Sequence, residues 1–174
     1  KDIGTAFMNW FVKHGEAYTW SRDWFYGLAI IGDPALTPNA VTKQLLQYDD
    51  GSAEFGFRSS VDSVAAVRFS ASSSIQLLKL VYYIWGEMNN FKVHVLNTNF
   101  QSVYSLEVTP TEGWFVVDVS AANILVSGDF YVGFQWIRDA PPWLGVDTNA
   151  PHNLRSYLGW IGSPGSPKER EDYM

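Results

Sequence analysis

From Val41 onward the apolar residues recur with a period of two, and this limits the chain more than any other feature it carries. Phe55 and Phe57 are bracketed by Glu54 and Arg58, and Val67 and Phe69 follow. Leu78, Leu80, Tyr82 and Ile84 fall on one side of a long segment, with Val81, Tyr83 and Trp85 on the other. Phe91, Val93 and Val95 alternate with Lys92 and His94; Tyr104, Leu106 and Val108 come next; Trp114, Val116 and Asp118 oppose Phe115, Val117 and Val119. Phe130, Val132, Phe134 and Trp136 continue the pattern, and Leu158 and Trp160 suggest one more strand. In a strand, successive side chains point to opposite faces, so each segment offers one apolar face. Turn residues separate the segments: Leu46 and Tyr48 lead into Asp49-Asp50-Gly51-Ser52, Pro110 ends one segment, and Ser127-Gly128-Asp129 starts another. Roughly nine short strands at spacings of about 8–12 residues predict an antiparallel β-sandwich, jelly-roll-like, rather than a βαβ array. Ser120 to Val126 is too short for more than a turn or a single helical turn.

The first 37 residues have a different texture. Ile3, Phe7, Trp10, Phe11 and His14 fall at helical spacing, with Asp2 placed to cap the start and Gly15 to stop the end. A second short helical or irregular stretch carries Trp20, Trp24, Phe25 and Tyr26. Leu28-Ala29-Ile30-Ile31 is a continuous apolar run closed by Gly32-Asp33-Pro34, as expected for a strand buried on both faces. The chain is therefore expected to divide into an α/β remnant with one or two helices over 1–37 and a β-sandwich over 38–174. Ile3, Phe7, Trp10 and Phe11 are expected to pack on the sandwich or on another copy of the chain.

Composition removes several function classes. With 47% apolar and 16% aromatic residues, the chain has ample material for a core, and disorder is excluded as its main state. Its 12 Lys and Arg against 18 Asp and Glu leave a net charge of −6 with no basic run, which argues against a nucleic-acid partner. There is no Cys, so disulfides, thiolate metal sites and a cysteine nucleophile are excluded within these 174 residues. No apolar run approaches the roughly 20 residues of a membrane helix. The chain opens on Lys1 and closes on Lys168-Glu169-Arg170-Glu171-Asp172-Tyr173-Met174, and both ends read as cuts through a longer protein.

Two resemblances add context. Ile3-Gly4-Thr5-Ala6-Phe7, followed by a strand ending in Gly32-Asp33-Pro34-Ala35-Leu36, resembles the end of a gingipain-type cysteine peptidase domain of caspase-like fold. It covers about residues 2–37, a fifth of the chain. It implies a secreted or surface peptidase as parent, with the catalytic His and Cys upstream of residue 1. None of His14, His94 or His152 matches the family's catalytic motif, so no catalytic residue is carried over. The remainder resembles a β-sandwich module at the C-terminal ends of prokaryotic extracellular proteins. The matching strings are Tyr48-Asp49-Asp50-Gly51, Gly113-Trp114 with Val117-Asp118-Val119, Gly128-Asp129-Phe130-Tyr131-Val132-Gly133, Leu144-Gly145-Val146-Asp147 with Arg155-Ser156-Tyr157, and Asp172-Tyr173-Met174 as the start of a last strand. That match implies fold and an extracellular location more than an activity.

The residues themselves yield a few candidate sites. Asp49 and Asp50 are oxygen ligands of the type Ca²⁺ takes, although Asp-Gly equally fits a hairpin turn, the reading preferred here. No other cofactor is expected. Asp147 and Arg155 flank the loop 148–154 and are expected to clamp it as an ion pair. In the same region Trp143, Asn149, His152 and Asn153 offer stacking and hydrogen bonds to a ligand. Trp85, Trp114, Trp136 and Trp160 are assigned to the core and Trp143 to a Pro-rich loop. His94, beside Lys92, is read as a solvated surface residue, and Asp118, if its face is buried, must be hydrogen-bonded. Two function classes follow. One is a non-catalytic accessory domain of an extracellular cysteine peptidase, partnered with the upstream catalytic domain and stabilising it or binding protein substrate. The other is a binding module for carbohydrate or cell-envelope polymer.

Overall fold

A computed structural model of the chain describes residues 43–169 and 171–174. The α/β remnant and helices expected over 1–37, including Ile3, Phe7, Trp10, Phe11 and the Leu28–Ile31 strand, lie outside these residues. Among the described residues there is no α-helix, and none is long and apolar enough to cross a membrane. The compact unit is Leu46–Met174.

This unit is built from ten strands: β1 (Phe55–Phe57), β2 (Val64–Gln76), β3 (Lys79–Trp85), β4 (Phe91–Leu96), β5 (Ser102–Val108), β6 (Gly113–Asp118), β7 (Leu125–Trp136), β8 (Trp143–Asp147), β9 (Ser156–Gly159) and β10 (Asp172–Tyr173). They form two antiparallel sheets. Sheet A runs β1-β8-β3-β6, with β10 also paired to β8; sheet B runs β5-β4-β7-β2-β9. Ser120–Ala122 makes a single 3₁₀ turn, closed by Asn123 in the left-handed region at φ 51°. β2 and β7 are paired along most of their length, with one irregularity between Ala71 and Ile75.

The alternation read from the sequence sorts residues onto the faces as expected. Leu80, Tyr82 and Ile84 of sheet A meet Phe91, Val93, Val95, Phe130, Phe134 and Trp136 of sheet B in one core. Aromatic rings bridge the sheets. Tyr82 stands edge-on to Phe91 and Phe134 at 5.6 and 6.1 Å, Phe91 stacks on Phe134 at 4.1 Å, and Phe57 meets Trp136 at 5.6 Å. The Tyr82 hydroxyl donates to the Gly133 carbonyl at 3.2 Å, which satisfies its polar atom across the core. Burial pushes that phenol well above its ordinary range.

Several expectations are corrected. Leu46 and Tyr48 do not lie in a strand, and no hairpin forms at Asp49–Ser52. The Asp49 and Asp50 carboxylates instead accept the backbone N–H groups of Gly51 and Ser52, closing tight side-chain turns that compete with a ladder. Leu46 packs against the core, and Tyr48 lies 5.2 Å from the Phe69 ring. Of Trp85, Trp114, Trp136 and Trp160 only Trp136 is a core residue; Trp114 is exposed because Phe115 and Val117 take the inward positions of β6, and Trp160 is exposed just past the end of β9. Asp118 is therefore on the solvent side, where Ser120 donates to it from its hydroxyl and backbone N–H and lowers its pKa.

His94 is the clearest reversal. It points away from the core, as its parity requires, yet is only 4% exposed. The outward face of sheet B carries its own apolar cluster, Val64, Ala66, Leu96, Phe100, Tyr131 and Tyr157. The 97–101 loop folds back over it with Phe100 held at φ 60°, its carbonyl accepting from Gly162 at 2.8 Å. Under that cover His94 Nδ1 lies 2.8 Å from Ser102 Oγ and Nε2 2.9 Å from Gln135 Oε1. Burial holds the imidazole below its ordinary range, the Gln135 hydrogen bond opposes this, and Lys92 adds to it. A folded-state pKa below the unfolded value makes a stability contribution that is complete above the unfolded value of about 6.5 and is lost as pH falls toward the folded one. Melting temperature is thus expected to fall between about pH 7.5 and 5.5. His94→Gln should flatten this step, and an identical pH dependence in the variant would contradict it.

Candidate functional site

At one end of the two sheets the 48–54 segment and the turn that follows β8 are joined by carboxylates. Asp147, the last residue of β8, is 3% exposed. Its Oδ2 accepts the Asp50 backbone N–H at 3.0 Å and its Oδ1 accepts the Asn149 N–H at 2.7 Å. Glu54 reaches the same turn, accepting the Thr148 N–H at 2.9 Å. Asn149 Nδ2 donates to Asp50 at 3.2 Å and to Glu54 at 3.0 Å, and the Ser52 hydroxyl bridges the same two carboxylates at 2.7 and 2.9 Å. One oxygen each from Asp50, Glu54 and Asp147 lies within 4.8 Å of the others.

These hydrogen bonds favour ionised carboxylates. Asp50 has a lowered pKa, chiefly through the Ser52 hydroxyl, and Glu54 has one chiefly through the Thr148 N–H. Asp172 behaves oppositely. It pairs with Asp147 in the β10–β8 ladder and is 3% exposed, and burial raises its pKa although the Asn153 N–H and His152 oppose this. Its Oδ2 accepts the Asn153 N–H at 3.1 Å, while its Oδ1 is buried without a partner.

The expected Asp147–Arg155 ion pair does not form. Asp147 is occupied by backbone N–H groups on its own side, and Arg155 turns toward β2. There its guanidinium donates to the Arg68 carbonyl at 3.3 Å and Ser70 Oγ at 3.2 Å, and lies 4.4 Å from the Tyr48 ring centroid. Arg155 thus clamps the other flank of the loop. The proposed cation pair Asp49 and Asp50 is also separated: Asp49 accepts from Gln47 and Gly51, and only Asp50 joins the carboxylate group. Glu54 was missed, since nothing in its spacing from Asp147, more than ninety residues on, ties the two together.

Trp143, Asn149, His152 and Asn153 do not converge on one ligand. Asn149 belongs to the carboxylate group; Asn153 donates its side chain to the Tyr48 carbonyl and its backbone to Asp172. His152 Nδ1 is 3.8 Å from Asp172 Oδ2, beyond a hydrogen bond. Trp143 is in β8 rather than in a loop, about 13 Å along the strand from Asp147 at ~3.3 Å per residue.

Trp143 belongs to a second feature, the outward face of sheet A. It pairs with Trp85 across β8–β3, Tyr83 pairs with Trp114 across β3–β6, and Val81 pairs with Val116 beside them. Tyr83 stands perpendicular to Trp85 at 5.5 Å and to Trp114 at 5.2 Å, and the Arg58 guanidinium lies 4.6 Å from the Trp143 ring. Gly56 and Gly145, which face each other across β1 and β8, leave the room these rings use. A Cβ on Gly56 would stand 2.9 Å from Trp143 Cβ, and one on Gly145 2.8 Å from Tyr83 Cβ. Trp114, Val81 and Val116 are 44%, 41% and 49% exposed, so the end of this row toward the edge strand β6 is open to solvent.

No protein-family model, curated protein or solved structure matches the chain.

Asp147→Ala removes the acceptor of the part-buried Asp50 and Asn149 N–H groups and is expected to cost about 2 kcal/mol of stability. Because Asp147 and Arg155 are not paired, the double variant Asp147→Ala/Arg155→Ala should be additive to within about 0.5 kcal/mol in urea unfolding. A larger coupling would restore the ion pair.

Proposed function

We propose that this chain is a non-catalytic accessory β-sandwich that makes contact with protein through the outward face of sheet A. The observation that carries the reading is the exposed apolar group Trp114 and Val116 on the edge strand β6 with Val81 beside them on β3. A cross-strand pair of exposed valines beside a tryptophan suits apolar polypeptide, which also adds readily to the free N–H and C=O groups of an edge. The strand order β1-β8-β3-β6 facing β5-β4-β7-β2 supports reading the fold as an eight-stranded jelly roll with β9 and β10 appended.

The resemblance of residues 2–37 to a gingipain-type peptidase supplies the setting: a secreted or surface cysteine peptidase with its His and Cys upstream. In that setting the accessory sandwich stabilises the catalytic domain or presents protein substrate to it. The alternative, a carbohydrate or cell-envelope binding module, draws on Trp85 and Trp143 with Arg58 above. Aromatic rings with a polar neighbour stack on sugar faces.

The test is binding of the 174-residue chain to a denatured, reduced and alkylated polypeptide and to a glycan array. The accessory reading expects polypeptide binding that Trp114→Ser/Val116→Ser weakens at least about tenfold without unfolding the chain, since both positions are exposed. Glycan binding lost in Trp143→Ala, with no polypeptide binding, would establish the alternative. Peptide-bond turnover by the chain alone would overturn the non-catalytic reading.

A further inference from the structure

Strand β6 ends sheet A without the usual protections of an edge. Among the described residues no strand pairs with its far side. Edges are normally blunted by shortness, bulges, charge or a covering segment, because a row of free N–H and C=O groups templates another strand. The other three edges are treated in that way. β1 has only three residues. β9 is covered by the 167–168 segment, through the Tyr157–Pro167 bridge and the Lys168 N–H on the Ser156 carbonyl. β5 has an irregular register against β4 and carries Glu107 in an ion pair with Arg138. β6 instead pairs with β3 in unbroken register, and Asp118 at its end is its only charge. Its free backbone groups follow from the ladder. The Val119 N–H donates to the Leu78 carbonyl at 2.9 Å, just beyond the Lys79–Asp118 pair. Antiparallel ladders alternate, so Val117, Phe115 and Gly113 turn their backbone groups to β3, and Asp118, Val116 and Trp114 turn theirs to the open side.

We propose that a second copy of this chain occupies this edge, with β6 pairing antiparallel to the same strand of the partner about a two-fold axis at Val116. The inference rests on the reading of sheet A as a protein-contact face and names the partner. A two-fold pairing has to keep outward residues opposite outward ones, or the apolar sets would face the wrong side. Centring on Val116 does so: Val116 meets the partner's Val116, Trp114 meets the partner's Asp118, and Phe115 meets the partner's Val117. Every backbone group that β6 turns to the open side then has a partner, about six hydrogen bonds in all. Neighbouring registers of the same parity are poorer. Centring on Phe115 sets Glu112 opposite the partner's Asp118, and like charges directly opposite are destabilising. Centring on Val117 leaves only residues 116–118 paired. With the axis at Val116, the one acid of the strand faces an indole and keeps Lys79 as its cross-strand neighbour. The exposed Val81 and Val116 continue across the axis into their own copies as one apolar row.

The test is sedimentation velocity of the 174-residue chain from about 1 to 200 μM, joined to thiol cross-linking. The chain has no Cys, so a single introduced residue is its only thiol. A concentration-dependent dimer with a Kd of about 1–100 μM is expected, as for a small interface. Val116→Cys should form a covalent dimer under mild oxidation, since hydrogen-bonded partners lie about 5.5 Å apart at Cα, within disulfide reach. Trp114→Cys and Val81→Cys, at equally exposed positions, should not, because the axis sets their copies about 14 Å apart. Val116→Lys places like charges at the axis and should weaken association at least about tenfold while keeping the strand circular dichroism of the fold, the position being 49% exposed. A chain that stays monomeric throughout, with Val116→Cys unlinked, would overturn the dimer; denatured polypeptide still bound in a Trp114-dependent way would then leave the contact reading of sheet A standing. Cross-linking of Trp114→Cys as efficient as that of Val116→Cys would overturn the two-fold pairing at Val116.

Discussion

The contact between Tyr82, Phe91 and Phe134 is the one on which the rest depends. Sheets of this size do not hold together by their ladders alone, because an isolated sheet leaves one apolar face in water. Here three aromatic rings from β3, β4 and β7 interlock across the gap, and the Tyr82 hydroxyl closes on the Gly133 carbonyl of the opposite sheet. Fully burying side chains of this kind stabilises by about 1.5–3 kcal/mol each, and the edge-to-face pairs add about 0.5–1.5 kcal/mol. Because β3, β4 and β7 are interior strands, the cluster sets the register of both sheets, and a one-residue slip in any of them would turn its apolar set outward.

Once the inward faces are fixed, the two outward faces diverge. Sheet B is covered on its outside by the chain itself: the 97–101 loop and the segment near Gly162 lie over Val64, Ala66, Leu96, Tyr131 and Tyr157. Sheet A has its Gly56 and Gly145 positions filled by Tyr83, Trp85 and Trp143, but the row continues to exposed Trp114, Val116 and Val81. That asymmetry directs the functional reading to sheet A. The carboxylates around Asp147 have a different role, joining segments that the ladders leave loose.

The strands and their inward residues were legible because alternation is local, and each of Leu80, Phe91, Phe134 and Trp136 declares its face through its immediate neighbours. Parity alone does not say which side of a sheet is solvated. Alternation therefore assigns Trp114 to the core, whose place Phe115 takes, and His94 to water, although the loop after β4 buries it. The Asp49–Ser52 turn looked like a hairpin because the backbone preference of Asp-Gly is real. Its carboxylates nevertheless serve side-chain turns and distant N–H groups. Asp147 is expected from the sequence to clamp the loop by pairing with Arg155, yet its partners are the backbone of Asp50 and Asn149. Glu54 and Asp172 joined the group only through the fold, since contacts that far apart in sequence leave no spacing to read.

The interior aromatic cluster carries stability, while Trp114, Val81 and Val116 on the outward face of sheet A are exposed. Equilibrium urea unfolding of Phe134→Ala beside Trp114→Ala tests this division most directly. Phe134→Ala should lose about 3–5 kcal/mol, as expected for a large aromatic removed from a packed core, and Trp114→Ala about 1 kcal/mol or less. Equal losses at the two positions would mean that Trp114 is part of the structural core, and would contradict the account.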